Sequence, residues 1–166
     1  MNLRPLLSGL QLALRASVAA GMSVAVAQLL GLQHPIYAFL AAVIVTDLAP
    51  SQSKKLAAHR IVATAVGAIC GAALTLVLPA GPLAIGVSIL IAMLACQLVQ
   101  VPDAAKVAGF ICGIVVLEHS AEPWLNASLR FAETTLGVIV ALMVSYVPKL
   151  IKIEEPAENS VGQAGG

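Results

Sequence analysis

The chain has 166 residues, of which 60% are hydrophobic and 10% are charged, and its formal net charge is +1. Soluble domains carry about 25% charged and about 45–50% apolar residues, so this chain cannot cover a folded surface with polar groups and is predicted to lie in a lipid bilayer. The near-neutral charge gives no electrostatic basis for a nucleic-acid partner.

The first predicted span covers about residues 10–32 and follows a short segment, residues 1–9, that we expect on the cytoplasmic side. No small-residue cleavage site precedes a polar domain, so the opening is interpreted as a retained helix and not as a signal peptide. Arg15 lies inside this apolar run. A lone charge at the bilayer centre costs at least about 2.5–3.5 kcal/mol, so Arg15 is expected to have a partner, and Asp47 lies at the same predicted depth.

The second predicted span is short, about residues 35–49, and Asp47 closes it. Spanning the hydrocarbon layer takes about 20 helical residues, so this helix needs burial inside the protein or a thinned bilayer. Tyr37 and Phe39 are candidates to line a path for a flat ring, although interfacial anchoring is the simpler interpretation. His34 is a candidate for proton coupling, with a solvated loop histidine as the alternative.

The third predicted span begins at Arg60 and runs to about residue 78, after SQSKKLAAHR, a basic stretch expected to lie along the membrane surface. Small residues recur at four-residue spacing in the third span, at Ala63, Gly67 and Gly71, and again in the sixth. This spacing predicts close packing of the third and sixth helices on each other or on a neighbouring subunit. The fourth span covers about residues 83–101.

The fifth predicted span is again short, about residues 104–117, and Glu118 closes it. The sixth begins near Arg130 and covers about residues 125–147, with Glu133 one turn further along the same helix face. The polar, Gly-rich tail, residues 149–166, is expected to be cytoplasmic and disordered.

The distribution of lysine and arginine predicts the orientation. With the N-terminus in the cytoplasm, all of the nine lysines and arginines except Arg130 lie on the inner side. We therefore expect a multi-pass protein of the cell inner (plasma) membrane with both termini cytoplasmic.

The sequence contains an internal repeat. HRIVATAVG, residues 59–67, returns as LRFAETTLG, residues 129–137, which predicts two three-helix units, residues 10–79 and 82–148. Because each unit crosses the membrane an odd number of times, the second must be inverted, an arrangement typical of transporters; a duplication kept for packing alone is the alternative. The matched polar and aromatic positions are Gln28 with Gln97, Phe39 with Phe110, Asp47 with Glu118, and Arg60 with Arg130.

The repeat predicts one acid–arginine pair in each half, Asp47 with Arg60 on the inner side and Glu118 with Arg130 on the outer side. In one interpretation these pairs only fasten helix ends. In the other, the guanidinium exchanges its carboxylate for that of a substrate, because its planar fork fits a carboxylate with two hydrogen bonds. His119 joins His34 as an outer candidate for proton coupling. The candidates for substrate binding are Arg15, Arg60, Arg130, Gln28, Gln97, Tyr37, Phe39 and Phe110, and those for ion pairing or proton coupling are Asp47, Glu118, Glu133, His34 and His119.

No pattern in the sequence indicates catalysis, a metal or a cofactor. The three cysteines lie in apolar runs without CxxC or Cys/His spacing and are interpreted as small buried hydrophobes. HExxH, a Ser/His/Asp set and a clustered acidic metal motif are likewise missing from the sequence, so an enzyme is not expected.

The stretch ALRASVAAGMSVAVAQLLGLQHPIYAFLAAVIVTDLAPSQSKKLAAHRIVATAVGAICGAALTLVLP resembles the membrane domain of the fusaric-acid-resistance and aromatic-acid-exporter family. The likeness rests on Arg15, on HPIYAFLAAVIV, and on the R…T..G pattern at Arg60 and Arg130. It implies efflux of aromatic carboxylates or related organic anions, and a distant similarity to plant aluminium-activated malate channels. Many relatives add a cytoplasmic domain or a second six-helix unit that this sequence does not contain, so a homo-oligomer, dimeric or larger, is expected.

The sequence thus predicts an all-α membrane protein with six transmembrane helices arranged as an inverted 3+3 repeat, which exports small organic anions. A passive anion channel and a non-transporting membrane scaffold or assembly factor remain as alternatives. The expected partners are the lipid bilayer, an organic anion and further copies of the chain.

Overall fold

The computed structural model describes residues 3–79, 81–118 and 121–146, with side chains from Leu6 onward. The predictions for His119 and for the cytoplasmic tail lie outside the described residues. Within them the chain forms six α-helices, one short 3-10 turn and no strand, which confirms the all-α prediction. The helices are α1 (Leu3–Leu29), α2 (Ile36–Val45), α3 (Pro50–Thr75), α4 (Pro82–Leu98), α5 (Ala105–Glu118) and α6 (Pro123–Ser145), with the 3-10 turn at Pro102–Ala104.

Three of these helices are long and apolar enough to cross a bilayer, over Leu6–Leu29, Pro50–Thr75 and Pro123–Ser145. Their outward faces carry large apolar side chains; Leu14, Ile69 and Ile139 are each more than half exposed. Such a continuous apolar exterior is the surface expected of a chain solvated by lipid tails.

The other three helices are shorter, as expected for the second and fifth. At about 1.5 Å per residue, α2 with its 10 residues is about 15 Å long and α5 with its 14 residues about 21 Å. The hydrocarbon core measures about 30 Å, so neither helix spans it alone.

The third helix begins ten residues earlier than predicted. Pro50 stands in its first turn, where a missing backbone donor costs nothing. Just ahead of it, the Asp47 side chain accepts a hydrogen bond from the Ala49 N–H, and the Ser53 hydroxyl accepts one from the Asp47 N–H. The basic stretch that we expected along the membrane surface therefore forms the first turns of α3.

This early start moves Arg60 away from the helix end. It lies ten residues after Pro50, about 15 Å along the axis, and Arg130 lies seven residues after Pro123, about 10 Å along α6. The prediction that both arginines begin their helices is wrong. Each lies well inside a long apolar helix.

Two of the three long helices, α3 and α6, pack side by side at the centre. The short helix α5 packs mainly on α3 and on α4, and the short helix α2 mainly on α6 and on α1. Helix α1 also touches α6, and α4 also touches α3. Each short helix thus has its largest contact with a long helix of the other half of the chain: α5 with α3, and α2 with α6.

Glycines make these contacts close. A Cβ added to Gly67 would stand 2.5 Å from the carbonyl oxygen of Ala108 in α5, and one added to Gly137 would meet the carbonyl of Ala38 in α2. The third and sixth helices do pack on each other, as predicted. The closest approaches at Gly67 and Gly137, however, are to the two short helices and not between α3 and α6. These glycines admit the backbones of the two short helices.

Candidate functional site

Arg130 lies at the centre of a cluster of polar side chains. Its guanidinium is buried, and Nη2 lies 2.8 Å from Oε1 and 3.0 Å from Oε2 of Glu118. Its Nη1 donates to Oε2 of Glu133 at 3.2 Å, across one turn of α6. The predicted Glu118–Arg130 pair and the position of Glu133 on the same face are both confirmed.

The cluster extends to α2 and to the connection before it. The guanidinium carbon of Arg130 lies 4.0 Å from the centre of the Tyr37 ring, in a cation–π contact. The Tyr37 hydroxyl donates weakly to Oε1 of Glu118 at 3.5 Å, and the backbone N–H of His34 donates to Oε1 of Glu133 at 2.8 Å. Four segments of the chain therefore meet in the cluster around this guanidinium.

Asn126 is a member of the cluster that sequence reasoning missed. Its Nδ2 donates to Oε2 of Glu118 at 3.1 Å. It stands four residues before Arg130 on α6, and residues at that spacing share a helix face. The spacing was visible in the sequence, but an asparagine near a predicted helix start has many other uses.

Within the part of the chain that the structure describes, Arg60 has no comparable partner. It is 3% exposed, its Nε has no hydrogen-bond partner, and it forms no salt bridge with Asp47. The predicted Asp47–Arg60 pair is therefore wrong. Asp47 precedes the start of α3 and hydrogen-bonds there to Ala49, whereas Arg60 lies almost three turns further along the same helix.

Arg60 instead faces a cavity of about 640 Å³ between α3 and the start of α5. Lys55 and His59 line it from α3, and Asp103 lines it from the 3-10 turn. Two permanent cations and a histidine thus face one carboxylate. The remaining lining residues are Ile44, Gln52, Leu56, Ala104 and Val107.

Sequence reasoning did not identify Lys55, His59 or Asp103 as cavity residues. Lys55 and His59 are four residues apart, so the sequence alone indicates that they share a helix face. We interpreted their segment as a surface anchor because the helix was expected to begin at Arg60. No feature of the sequence links Asp103 to Arg60.

The surroundings of the two arginines correspond at an offset of 70 residues. Arg130 has an aromatic ring, a carboxylate and an amide beside it, whereas the positions that the sequence repeat pairs with these are apolar. The corresponding positions are Tyr37 and Val107, His34 and Ala104, Glu133 and Ala63, and Asn126 and Leu56.

The remaining candidates do not line the Arg60 cavity. Phe39 and Phe110 are more than one third exposed on outward faces, and Gln28 and Gln97 are also exposed. Arg15 is buried on α1, and it is not among the residues that line the Arg60 cavity. Of the predicted aromatic path, only Tyr37 meets a guanidinium.

Comparison with known proteins matches the chain to a family. A family model described as "Fusaric acid resistance protein-like" matches residues 20–144, well over half of the chain, and both arginine sites lie inside that range. No curated protein and no solved structure matches the chain.

Proposed function

The chain belongs to the fusaric acid resistance protein-like family, and we propose that it is a membrane transporter that exports small organic anions, in particular aromatic carboxylates. The observation that carries this proposal is the buried Arg60, which forms no salt bridge with any carboxylate of the described residues and lines a cavity with excess positive charge. The direction of transport rests on the resemblance to exporters.

The physical chemistry of Arg60 favours an anionic ligand. A buried guanidinium without a counter-charge is costly, so a ligand that brings a carboxylate gains both the Coulomb attraction and two hydrogen bonds. Lys55 and His59 add attraction at the same cavity. The cavity volume of about 640 Å³ falls within the about 300–1,000 Å³ typical of small-molecule sites.

The aromatic preference is suggested by the other arginine. At Arg130 the protein itself places an aromatic ring, Tyr37, over the guanidinium and a carboxylate, Glu118, against its Nη2. At Arg60 the position corresponding to Tyr37 is Val107, which leaves the space of a ring to the cavity. An aromatic carboxylate carries both groups in one molecule.

The packing supports an inverted 3+3 repeat, residues 10–79 and 82–148. Exchanging α1 with α4, α2 with α5 and α3 with α6 maps every contact between these helices onto another one. The contacts of Ala38 with Gly137 and of Ala108 with Gly67 favour an offset of 70 residues for the short helices, one less than their aromatic residues suggested. In such transporters the substrate site lies near the bilayer midplane, and rocking of one half exposes it to either side.

Two other functions make different predictions. A passive anion channel would carry a steady current across a planar bilayer, whereas a carrier turns over too slowly for single-channel steps. A membrane scaffold would show no change in thermal stability with any organic anion. We also propose an inner-membrane location with cytoplasmic termini, because the distribution of lysine and arginine favours that orientation. A homo-oligomer is part of the same proposal.

A binding experiment tests the proposal. Purified protein in detergent is heated with increasing benzoate or acetate, in the wild type, in Arg60→Gln and in Lys106→Gln, which removes an exposed lysine outside the cavity lining. We expect benzoate to raise the Tm of the wild type and of Lys106→Gln, and to leave that of Arg60→Gln unchanged. Equal stabilisation of Arg60→Gln would contradict the proposed site, and no stabilisation of any variant would favour the scaffold.

A further inference from the structure

The carboxylate of Glu118 sits in a receptor built by three other side chains. Arg130 Nη2 approaches both of its oxygens, Asn126 donates to one and Tyr37 to the other. We propose that Arg130, Tyr37 and Asn126 form a second carboxylate-binding site, which Glu118 occupies in this state and yields to a carboxylate from outside the chain.

Glu118 is suited to leave, and Glu133 is not. The Glu118 side chain is 29% exposed and belongs to the last residue of α5, so it can rotate into solvent without disturbing the helix. Glu133 is fully buried in the middle of the α6 contact surface, where it accepts hydrogen bonds from Arg130 and from the backbone of His34. Glu118 is therefore a tethered ligand, and Glu133 is part of the receptor that holds Arg130 in place.

The receptor keeps its shape when Glu118 moves. Arg130 stays fixed by Glu133 on one side and by the Tyr37 ring on its face. Its Nε is buried and has no hydrogen-bond partner among the described residues, so the guanidinium retains donor capacity in addition to the two bonds that Glu118 releases.

The exchange also conserves charge. With Glu118 in place, two carboxylates face one guanidinium, and a bound external carboxylate gives the same count. No additional unpaired charge is buried, so the replacement avoids the desolvation penalty that a second anion beside an occupied site would incur. Competition from the Glu118 carboxylate lowers the affinity of the site for an external carboxylate. A site of low affinity is better suited to releasing the anion than to capturing it.

In a transporter of this kind, the exported anion would move from Arg60 to Arg130, and Glu118 would then displace it. This route rests on the proposed function. Binding at Arg130 does not. It can therefore be measured in a protein that lacks the Arg60 site.

The experiment measures benzoate binding by calorimetry in purified Arg60→Gln and in Arg60→Gln/Glu118→Ala. We expect the single variant to bind benzoate only weakly, because the tethered carboxylate competes, and the double variant to bind it at least tenfold more tightly than the single variant. The control is Arg60→Gln/Glu122→Ala, which removes an exposed acid that follows α5 without touching the receptor hydrogen bonds; it should gain nothing.

A folded double variant that binds no more tightly than Arg60→Gln would overturn the inference, and so would an equal gain in the Glu122 control. If the alanine variant does not fold, Glu118→Gln in the same background decides, because glutamine keeps the volume but has no charge and only one acceptor oxygen where the carboxylate has two. Binding by the double variant without binding by the wild type would reject the proposed function and leave the second site standing.

Discussion

Arg130 and Arg60 are both buried, yet they differ in what their loss leaves behind. Removing Arg130 leaves the fully buried Glu133 without its counter-charge, which costs about 3–5 kcal/mol. Removing Arg60 leaves no buried acid behind. We therefore expect Arg130→Gln to lower the free energy of unfolding in detergent by several kcal/mol, whereas Arg60→Gln should be at least as stable as the wild type.

Thermal unfolding followed by circular dichroism checks this contrast. The sequence repeat alone predicted the same consequence for both arginines, so equal destabilisation by the two substitutions would restore that symmetric interpretation and contradict the one given by the structure. It would also imply a counter-charge for Arg60 among the residues surrounding its cavity.

Asp47 provides a second prediction at the scale of single residues. Its side-chain oxygen accepts from the Ala49 N–H ahead of α3, and asparagine offers the same acceptor. Asp47→Asn should therefore keep the stability of the wild type, and Asp47→Ala should lose about 0.5–2 kcal/mol, as helix-cap deletions do. If both substitutions are equally destabilising in chemical or thermal unfolding, the charge matters, and Asp47 has the ion-pairing role that we first assigned to it.

Contacts between polar residues could be predicted from the sequence only where the two residues lie close along the chain or share a helix. The order acid–loop–arginine located the Glu118–Arg130 pair, and a three-residue spacing located Glu133. The same order failed for Asp47, because hydropathy marks where a helix enters lipid and not where it begins. The polar residues Ser51–Lys55 concealed three turns of α3, and with them the cavity at Arg60.

At the scale of the helices, close approach at glycine gives a sharp prediction. A methyl group at Gly137 collides with the Ala38 carbonyl, and backbone cannot move aside as a flexible side chain can. Gly137→Ala should cost about 1–3 kcal/mol or more through overpacking. Gly86→Ala is the matched control on α4, where the added methyl meets nothing and alanine should be neutral or stabilising by up to about 1 kcal/mol.

The comparison is made by thermal unfolding of both variants in the same detergent. A Gly137→Ala protein as stable as Gly86→Ala would mean that α2 does not approach α6 so closely. The sequence did predict that the small-residue faces pack tightly, because only small residues permit such contact. It also predicted the contact between α3 and α6, but it did not identify α2 and α5 as the helices that these glycines admit, because the composition of one helix face carries no information about which helix covers it.

The proposed orientation of the whole chain can be tested with cysteine labelling. In a background with Cys70, Cys96 and Cys112 replaced by alanine, a single cysteine is introduced at Glu122, before α6, or at Gln100, between α4 and α5; both positions are exposed. The inverted arrangement places these connections on opposite sides. In intact cells, an impermeant maleimide should label the Glu122 cysteine, and it should label the Gln100 cysteine only after the inner face is opened.

Labelling of both cysteines from the same side would contradict six crossings and, with them, the inversion of the second half. At this scale the sequence predicted more than at the others. Long apolar stretches and one repeated line were sufficient to predict six helices, two of them short and in matching places. The interlocking of the halves, with each short helix seated on the long helix of the other half, follows from tertiary contacts that no local pattern encodes.

The most direct test of the account is flux of a labelled aromatic carboxylate into sealed vesicles that contain the purified protein. We expect uptake of radiolabelled benzoate that saturates with concentration and accelerates when unlabelled benzoate is present inside, and we expect Arg60→Gln to reduce it to the level of protein-free vesicles while Lys106→Gln transports normally. Uptake by Arg60→Gln at the wild-type rate, or no difference between wild-type and protein-free vesicles, would contradict the claim that this protein carries organic anions through a site at Arg60.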